Sequence, residues 1–169
     1  VFSTEEIESV LNKLVEDGKD QIACALALAV YSGRRKAELA RFKADWFKPE
    51  NVVFDYFYMT PEKVLSKGNK LIDCYVIKSG FDPYYDRWMK RRRDLNISSE
   101  WLFVARSDNG YHQATTDTFN SWAEIIGRYC EKPFYWHSMR HLFVSNLVRD
   151  GMSDSDIVEV VGWADSSMV

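Results

Sequence analysis

The stretch WHSMRH at residues 136–141 holds the side chains best suited to chemistry. His137 and His141 are four residues apart, a spacing at which two imidazoles on one helix face can bind zinc. The peptidase motif H-E-x-x-H needs glutamate after its first histidine, and this chain has Ser138 there. His112 is the only other histidine, so no third ligand stands out. We therefore predict no metal site and expect His141 to pack beneath its helix.

His137 and Arg140 indicate a different chemistry, because residues three apart lie on one face of a helix. An imidazole beside a guanidinium is unfavourable when both are charged, unless an anion lies between them. A phosphate fits, since the arginine fork matches two of its oxygens and histidine can accept or donate a proton. The pair alone does not distinguish a phosphate site from a chance spacing.

A second basic stretch, YSGRRKAEL at residues 31–39, follows directly after a long apolar segment that ends at Gly33. Glu38 lies three residues beyond Arg35, close enough to orient its guanidinium. The stretch is therefore either a positively charged helix cap or part of an anion site.

Two more stretches supply single groups. In LSKGNKLI (65–72), Lys67 lies on a tight β-turn, where it is either exposed without a role or able to protonate a leaving oxygen. Lys70, in the same turn, could act instead. In VVGWADSSMV (160–169), Trp163 follows a short apolar helix. It is either a packing residue or an indole N–H donor.

The composition describes one globular domain. The chain has 169 residues, of which 46% are apolar and 28% charged. Its three cysteines are unclustered, and Cys24 lies inside an apolar run, which argues against a zinc knuckle and for a reducing compartment. The longest apolar run, residues 22–31, is too short to span a bilayer. We expect a cytoplasmic protein without a membrane partner.

The net charge of −3 conceals a segregation along the chain. Residues 1–33 hold six acids and two bases, and residues 150–169 hold five acids and no base, which leaves residues 34–149 at +6. A basic run, KRRR at 90–93, lies in this middle part. It is either a solvated helix face or a contact for a phosphate backbone.

The elements that must position these groups are mainly helical. Ser3 and Glu6 form a capping box for a first helix, and Asp20 can cap a second that is apolar nearly all round and ends at Gly33. Residues 51–59 and 71–77 are rich in β-branched and aromatic residues and predict an antiparallel sheet with a Lys-Gly-Asn-Lys turn. Further helices are predicted at 36–42, from Pro83 to about 95, and at 116–130, 137–149 and 153–162, with a short apolar segment at 101–105 and a turn after it. The expected fold class is one mainly α domain with a small antiparallel β-sheet (α+β).

In their order along the chain, these stretches resemble the boxes of the tyrosine recombinase, or phage integrase, family. SGRRKAEL is similar to the family's T-G-x-R-x-x-E-L box, with Ser32 in place of threonine and Arg35 as its first arginine. SKGNK is similar to the G-K-G-N-K hairpin and places the family's lysine at Lys67. HSMRH matches the H-x-L-R-H box at His137 and Arg140. The segment through Trp163 resembles the stretch ending L-G-H-S-S, with tryptophan where most members carry histidine.

The resemblance implies the DNA breaking-rejoining catalytic-domain fold over residues 1–169. It also implies cleavage and rejoining of double-stranded DNA through a 3′-phosphotyrosine, without metal or cofactor. The catalytic residues it implies are Arg35, Lys67, His137, Arg140 and Trp163. Glu38 would hold Arg35 in place, and His141 would support the arrangement by packing.

The resemblance also implies parts that the 169 residues do not contain. The family's nucleophilic tyrosine would follow Trp163 at a position beyond Val169, so we expect this fragment to be inactive alone. The N-terminal core-binding domain that completes the family's clamp on DNA is likewise outside the chain. Assembly into a tetramer with other recombinase protomers on DNA is implied, and integration or excision of a phage or mobile element is the expected role.

Three alternatives remain open from the sequence. A type IB topoisomerase-like enzyme uses similar arginine, lysine and histidine chemistry but religates the same strand. A non-catalytic DNA-binding regulator derived from a recombinase fits the acidic ends of the chain. A helical domain unrelated to DNA would require all four boxes to be coincidences. The DNA target sequence is not readable, because base contacts are distributed over docked elements.

Overall fold

The computed structural model describes the backbone of residues 1–164 and the side chains of residues 1–161. Within this range, seven α-helices form: α1 (Thr4–Glu16), α2 (Asp20–Ser32), α3 (Lys36–Leu39), α4 (Lys78–Asp94), α5 (Thr116–Gly127), α6 (Met139–Arg149) and α7 (Asp154–Ala164). The strands are β1 (Val52–Val53), β2 (Phe57–Met59), β3 (Val64–Ser66), β4 (Lys70–Ile72), β5 (Tyr75–Ile77), β6 (Val104–Ser107) and β7 (Gly110–Gln113). The predicted class, mainly α with small antiparallel sheets, is confirmed.

The apolar helix α2 lies at the centre of the domain. Every residue from Ile22 to Ser32 is buried, and α1, α4, α6 and β5 pack around it. Cys24, which lies within this apolar run, is fully buried. The helix ends at Gly33, which adopts the left-handed conformation with φ of 67°. A helix that is apolar on all sides must be buried in the core of the domain. The basic stretch that follows Gly33 therefore starts at the core.

The starts of the first two helices are held in different ways. Ser3 caps α1 as predicted, since its Oγ accepts the Glu6 N–H at 3.1 Å and the Glu6 carboxylate accepts the Ser3 N–H at 3.0 Å. Asp20 does not cap α2, so that prediction is wrong. Its buried carboxylate instead pairs with Arg87 and Arg91 of α4, at 3.4 and 3.0 Å. These ion pairs fasten the start of α2 to α4.

The predicted pairing of residues 51–59 with residues 71–77 is confirmed. Strands β1, β2 and β5 form an antiparallel sheet in that order, with Phe57 opposite Ile77. Between β2 and β5 the chain extends into a separate hairpin, β3–β4, which turns through residues 67–69. The Lys-Gly-Asn-Lys turn therefore closes a hairpin of its own and does not join the strands of the larger sheet.

A third antiparallel pair, β6–β7, follows α4. Val104 pairs with Gln113 and Ser107 with Gly110, and the exposed turn at Asp108 and Asn109 joins the strands. The turn predicted in this segment is confirmed.

Helix α4 begins earlier than predicted. The sequence places its start at Pro83, whereas α4 begins at Lys78 and contains the proline. Lys78 and Asp82, four residues apart, are paired at 2.6 Å, and the Lys78 N–H donates to the carbonyl of Tyr56. Because these contacts hold the first turn in place, the helix tolerates the loss of the one backbone hydrogen bond that proline cannot donate.

The basic run at residues 90–93 is divided between surface and interior. Lys90 pairs with Asp94, and Arg91 pairs with Asp20. Arg92 is buried, and its guanidinium donates to three backbone carbonyls, those of Ser99 at 2.6 Å, Trp101 at 2.7 Å and Leu102 at 3.1 Å. The run is thus neither a uniform solvated face nor a uniform phosphate contact, because Arg92 holds the segment that leads into β6. None of the helices in the described range is long and apolar enough to cross a membrane.

Candidate active site

The loop between α2 and α3 requires glycine at position 33. A Cβ on Gly33 would lie 2.7 Å from Cδ2 of Phe143 in α6, and the φ of 67° already disfavours other residues. This close approach brings the end of α2 against α6. Arg34 and Arg35, which directly follow Gly33, therefore lie where the end of α2 meets α6.

Arg34 and Arg35 differ in burial although both pair with Glu38. The side chain of Arg34 is only 1% exposed, and its Nη1 lies 3.5 Å from Oε1 of Glu38. The side chain of Arg35 is 26% exposed, and its Nη1 lies 3.8 Å from Oε2 of the same carboxylate. Arg34 is therefore an interior partner of Glu38, which sequence reasoning missed, whereas Arg35 also faces the surface. The four-residue spacing of Arg34 and Glu38 is the signal that could have found the pair.

Glu38 is the centre of this arrangement. Its side chain is 1% exposed, and its Oε1 also accepts the backbone N–H of Arg35 at 2.9 Å. Its Oε2 accepts the hydroxyl of Ser66, the last residue of β3. The structure thus places Glu38 beside Arg35, as predicted, and shows that the same carboxylate reaches the lysine hairpin.

A buried thiol lies behind this cluster. Burial raises the pKa of Cys74 to about 12, against the opposing positive field of Arg34. Since the thiolate is the nucleophilic form of cysteine, this burial disfavours reaction of Cys74 at neutral pH. It belongs to the core and not to the chemistry of the site.

Arg140 comes to the same place from α6. Its side chain is buried, and its Nη1 donates to the carbonyl oxygen of Gly33 at 3.4 Å. Because Gly33 precedes Arg35 by two residues, this contact brings the two predicted arginines to one side of the domain although they are far apart in the sequence.

His137 does not lie on the helix of Arg140. It is in a 3-10 turn, Trp136–Ser138, that precedes α6, so the prediction of one helix over 137–149 is wrong in its first turn. The indole of Trp136 is buried and donates to the carbonyl of Phe119 at 2.8 Å, so Trp136 is a packing residue that anchors this turn. His137 is exposed whereas Arg140 is buried, so the two do not share a helical face.

His141 is exposed, and the prediction that it packs beneath the helix is wrong. The buried face of α6 is formed by neighbours on the other side of the helix, namely Met139, Arg140, Leu142, Phe143, Asn146 and Leu147. His141 lies about 100° around the axis from Arg140. Among the described residues, no group of three or more histidine, cysteine or acidic side chains could hold a metal ion.

Lys67 lies at the exposed tip of the β3–β4 hairpin. Gly68 and Asn69 both have positive φ, of 75° and 59°, which closes the tight turn. Lys70, the other candidate acid, is exposed and pairs with Ser66 across the hairpin. Either lysine is therefore adjacent to the strand residue that contacts Glu38.

The contacts described join three parts of the fold that carry predicted site residues, the α2–α3 loop, the β3–β4 hairpin and α6. Glu38 joins the loop of Arg35 to the hairpin of Lys67, and Arg140 joins α6 to the same loop through Gly33. His137 lies in the turn just before α6, and its side chain is exposed. Trp163 is in α7, which packs on α6, but its side chain lies outside the described residues, as does the segment 165–169.

Comparison with known proteins gives the family. The model of the Phage integrase family matches residues 1–169, the whole of this sequence. The chain belongs to the phage integrase family. No curated protein matches it in sequence.

Solved structures of recombinases share the fold of this phage integrase family member. XerA recombinase superposes with a TM-score of 0.69 at 18% identity, over 99% of this chain and 57% of the other. XerH site-specific recombinase, bound to a palindromic difH substrate in a post-cleavage complex, gives 0.65 at 17% identity, over 99% and 47%. The Tn1549 transposon integrase, in complex with circular intermediate DNA, gives 0.60 at 17% identity, over 99% and 58%. The chain thus spans about half the length of the solved chains it matches.

Proposed function

We propose that this chain is the catalytic part of a site-specific DNA recombinase that cuts and rejoins DNA strands through a 3′-phosphotyrosine. The observation that carries the proposal is the hydrogen bond from Arg140 to the carbonyl of Gly33. It brings a buried guanidinium to the loop that contains Arg35. Two arginines from distant parts of the sequence would then form one site able to bind a phosphate.

The two arginines would stabilise the transition state of phosphoryl transfer. Negative charge gathers on the non-bridging oxygens as phosphorus becomes pentacoordinate, and preorganised donors in a protein site stabilise such charge strongly. Arg35 and Arg140 would bind these oxygens, a role that metal ions fill in other enzymes of this chemistry. Glu38 would hold Arg35 through the contacts described above. No cofactor is needed in this scheme.

The remaining groups would move protons. As the tyrosine oxygen bonds to phosphorus and the bond to the 5′ oxygen breaks, His137 would accept the proton of the tyrosine hydroxyl and Lys67 would give a proton to the leaving oxygen. Trp163 would donate its indole N–H to a phosphate oxygen. The phosphodiester energy is kept in the covalent link, so a 5′ hydroxyl can later reverse the step on a partner strand.

The attacking tyrosine would belong to a segment that follows Val169. Double-stranded DNA is the proposed substrate, and other protomers on the same DNA are the proposed partners. The DNA complexes of XerH and of the Tn1549 integrase support this, because their matched parts have the fold of this chain. Integration or excision of a phage or mobile element is the proposed role.

The test uses a protein in which the chain continues past Val169. It is incubated with a duplex of its attachment site that is nicked so that religation is prevented, and covalent protein–DNA adducts are separated and mapped by mass spectrometry. We expect an adduct on a tyrosine beyond Val169, with phosphorus at the 3′ end of the cut strand.

Other outcomes would favour the alternatives. An adduct combined with relaxation of supercoiled DNA that lacks the site would indicate a type IB topoisomerase-like enzyme. Specific DNA binding without an adduct would indicate a regulator that kept the recombinase fold.

A further inference from the structure

The β3–β4 hairpin has little packing of its own near its tip. Val64 and Ile72 at its base are buried, at 2% and 7% exposure, whereas Leu65 and Leu71 in the next pair are exposed at 36% and 61%. Isolated two-stranded hairpins are marginally stable in water. The position of the tip therefore depends on side-chain contacts between the hairpin and the body of the domain.

Two such contacts join β3 to the region of α3. The guanidinium of Arg41 donates to the carbonyl of Leu65 at 2.9 Å. One residue further, the hydroxyl of Ser66 donates to Oε2 of Glu38. The Arg41 contact is made with a backbone carbonyl, so it does not depend on the residue type in β3. The contact with Glu38 requires a hydroxyl at position 66.

The Glu38 carboxylate, which accepts the hydroxyl of Ser66, also pairs with Arg35. Oε2 of Glu38 is shared between the Ser66 hydroxyl and Nη1 of Arg35, which lies 3.8 Å away. Glu38 itself is fixed by Arg34 and by the backbone N–H of Arg35. The hydroxyl therefore connects the hairpin to a carboxylate that cannot move independently of the arginine loop.

We propose that Ser66 is a positioning residue that holds Lys67 in a fixed relation to Arg35 through Glu38. This inference rests on the proposed function, since it assigns Ser66 a role only if Lys67 is the proton donor. Ser66 occupies the place of the first glycine in the G-K-G-N-K box that this hairpin resembles. Glycine has no hydroxyl, so the contact depends on the residue that this chain has at that position.

The first test measures the hairpin without any substrate, by amide hydrogen exchange in a protein that continues past Val169. In Ser66→Ala we expect the amides of β3 and β4 to exchange faster by about tenfold, the factor that a hydrogen bond to a charged acceptor is worth. Ser66→Thr keeps a hydroxyl on a residue that suits a strand and should restore the parental rates. Ser107→Ala, which removes a hydroxyl from the β6–β7 hairpin, is the matched control and should leave β3 and β4 unchanged. Unchanged exchange in Ser66→Ala would overturn the proposal.

The second test separates positioning of the acid from damage to the arginines. Cleavage is compared on a nicked substrate with an oxygen leaving group and on one with sulfur at the 5′ bridging position, which needs no proton. We expect Ser66→Ala to lower the cleavage rate of the oxygen substrate by about tenfold. This is less than the ~10²-fold loss of rate that a 1 Å misplacement can cause. The sulfur substrate should be cleaved at the parental rate, and Ser66→Thr should recover the oxygen substrate. Equal slowing of both substrates would overturn the proposal, because Ser66 would then act on the arginines or on the fold.

Lys67→Ala and Lys70→Ala distinguish this failure from failure of the proposed function. If the sulfur substrate restores the cleavage rate of Lys67→Ala but not that of Ser66→Ala, Lys67 is the proton donor and the assignment of Ser66 is wrong. If sulfur rescues Lys70→Ala and not Lys67→Ala, the acid is Lys70, and the assignment of Lys67 fails together with that of Ser66. If the parental protein cleaves neither substrate, the proposed function itself fails.

Discussion

At the scale of single residues, Arg34 and Arg35 show how adjacent identical side chains acquire different roles. Arg35 has extended backbone angles, with φ of −76° and ψ of 155°, and successive side chains on extended backbone point to opposite sides. Arg34 therefore points into the core towards Glu38 and Cys74, whereas Arg35 lies partly at the surface. Of these two adjacent arginines, Arg35 is therefore the one whose side chain reaches the surface.

The two proposed phosphate ligands should be separable from the fold by substitution. We expect Arg35→Ala to lower the rate of adduct formation on the nicked substrate by about 10²- to 10³-fold, the usual cost of removing one charge-stabilising donor. Arg140→Lys keeps a positive charge but lacks the planar fork, so it should also lose more than about tenfold. Rates are measured under single-turnover conditions.

The control for these variants is Arg93→Ala, which removes an exposed arginine from the end of α4. It should leave the rate near the parental value. Circular dichroism and thermal unfolding verify that each variant is folded. A folded Arg35→Ala that forms the adduct at the parental rate would refute the assignment of Arg35.

At the scale of elements, the turn before α6 explains why helical spacing misleads in WHSMRH. The indole of Trp136 is fixed between Phe119 and Phe134, with ring centroids 5.2 Å from each, and this anchor sets a 3-10 turn. His137 lies in this 3-10 turn, whereas Arg140 lies in the α-helix that follows it. Their three-residue spacing therefore does not place them on one face. A periodicity rule assumes one regular helix, and it cannot detect an aromatic anchor whose partners are distant in the sequence.

Helix α4 gives a prediction about its own basic run. Arg92→Met should lower the free energy of unfolding by about 3 kcal/mol, because it removes three hydrogen bonds from a charged donor and leaves the carbonyls of Ser99 and Trp101 without that donor. Arg93→Met changes an exposed neighbour of the same type and should stay within about 0.5 kcal/mol of the parental value. Urea unfolding followed by circular dichroism measures both. Equal small effects would show that the contacts of Arg92 with the segment before β6 do not stabilise the fold.

At the scale of the whole molecule, the sequence predicts what is local and misses what is distant. The capping box of α1, the central position of α2 and the pairing of Glu38 with Arg35 all depend on residues within one or a few turns. The contact of Ser66 with Glu38 spans 28 positions, and that of Arg140 with Gly33 spans 107. No spacing rule reaches these distances, so the sequence indicates most residues of the candidate site but misses Arg34 and the contacts that join these residues.

The three cysteines should report whether the domain unfolds as one unit. Burial raises the pKa of Cys24 well above its ordinary value and that of Cys74 to about 12, whereas Cys130 is only partly buried. In the native protein we therefore expect iodoacetamide to modify Cys130 first. With increasing urea, Cys24 and Cys74 should become reactive together, at the concentration where helical circular dichroism is lost. Pulsed labelling with peptide mapping measures this, and reaction of Cys74 well before Cys24 would show that the β-strands open separately.

The exposed turn between β6 and β7 divides the chain in a way that matters for engineering. Arg35, Glu38 and Lys67 precede it, whereas His137 and Arg140 follow it. A polypeptide cut between Asp108 and Asn109 would therefore leave each fragment with one arginine of the pair, and neither fragment could bind a phosphate with both. The proposed phosphate site would form only where the two pieces reassociate, so this turn is a place at which the proposed activity could be made to depend on a dimerising tag that joins the halves.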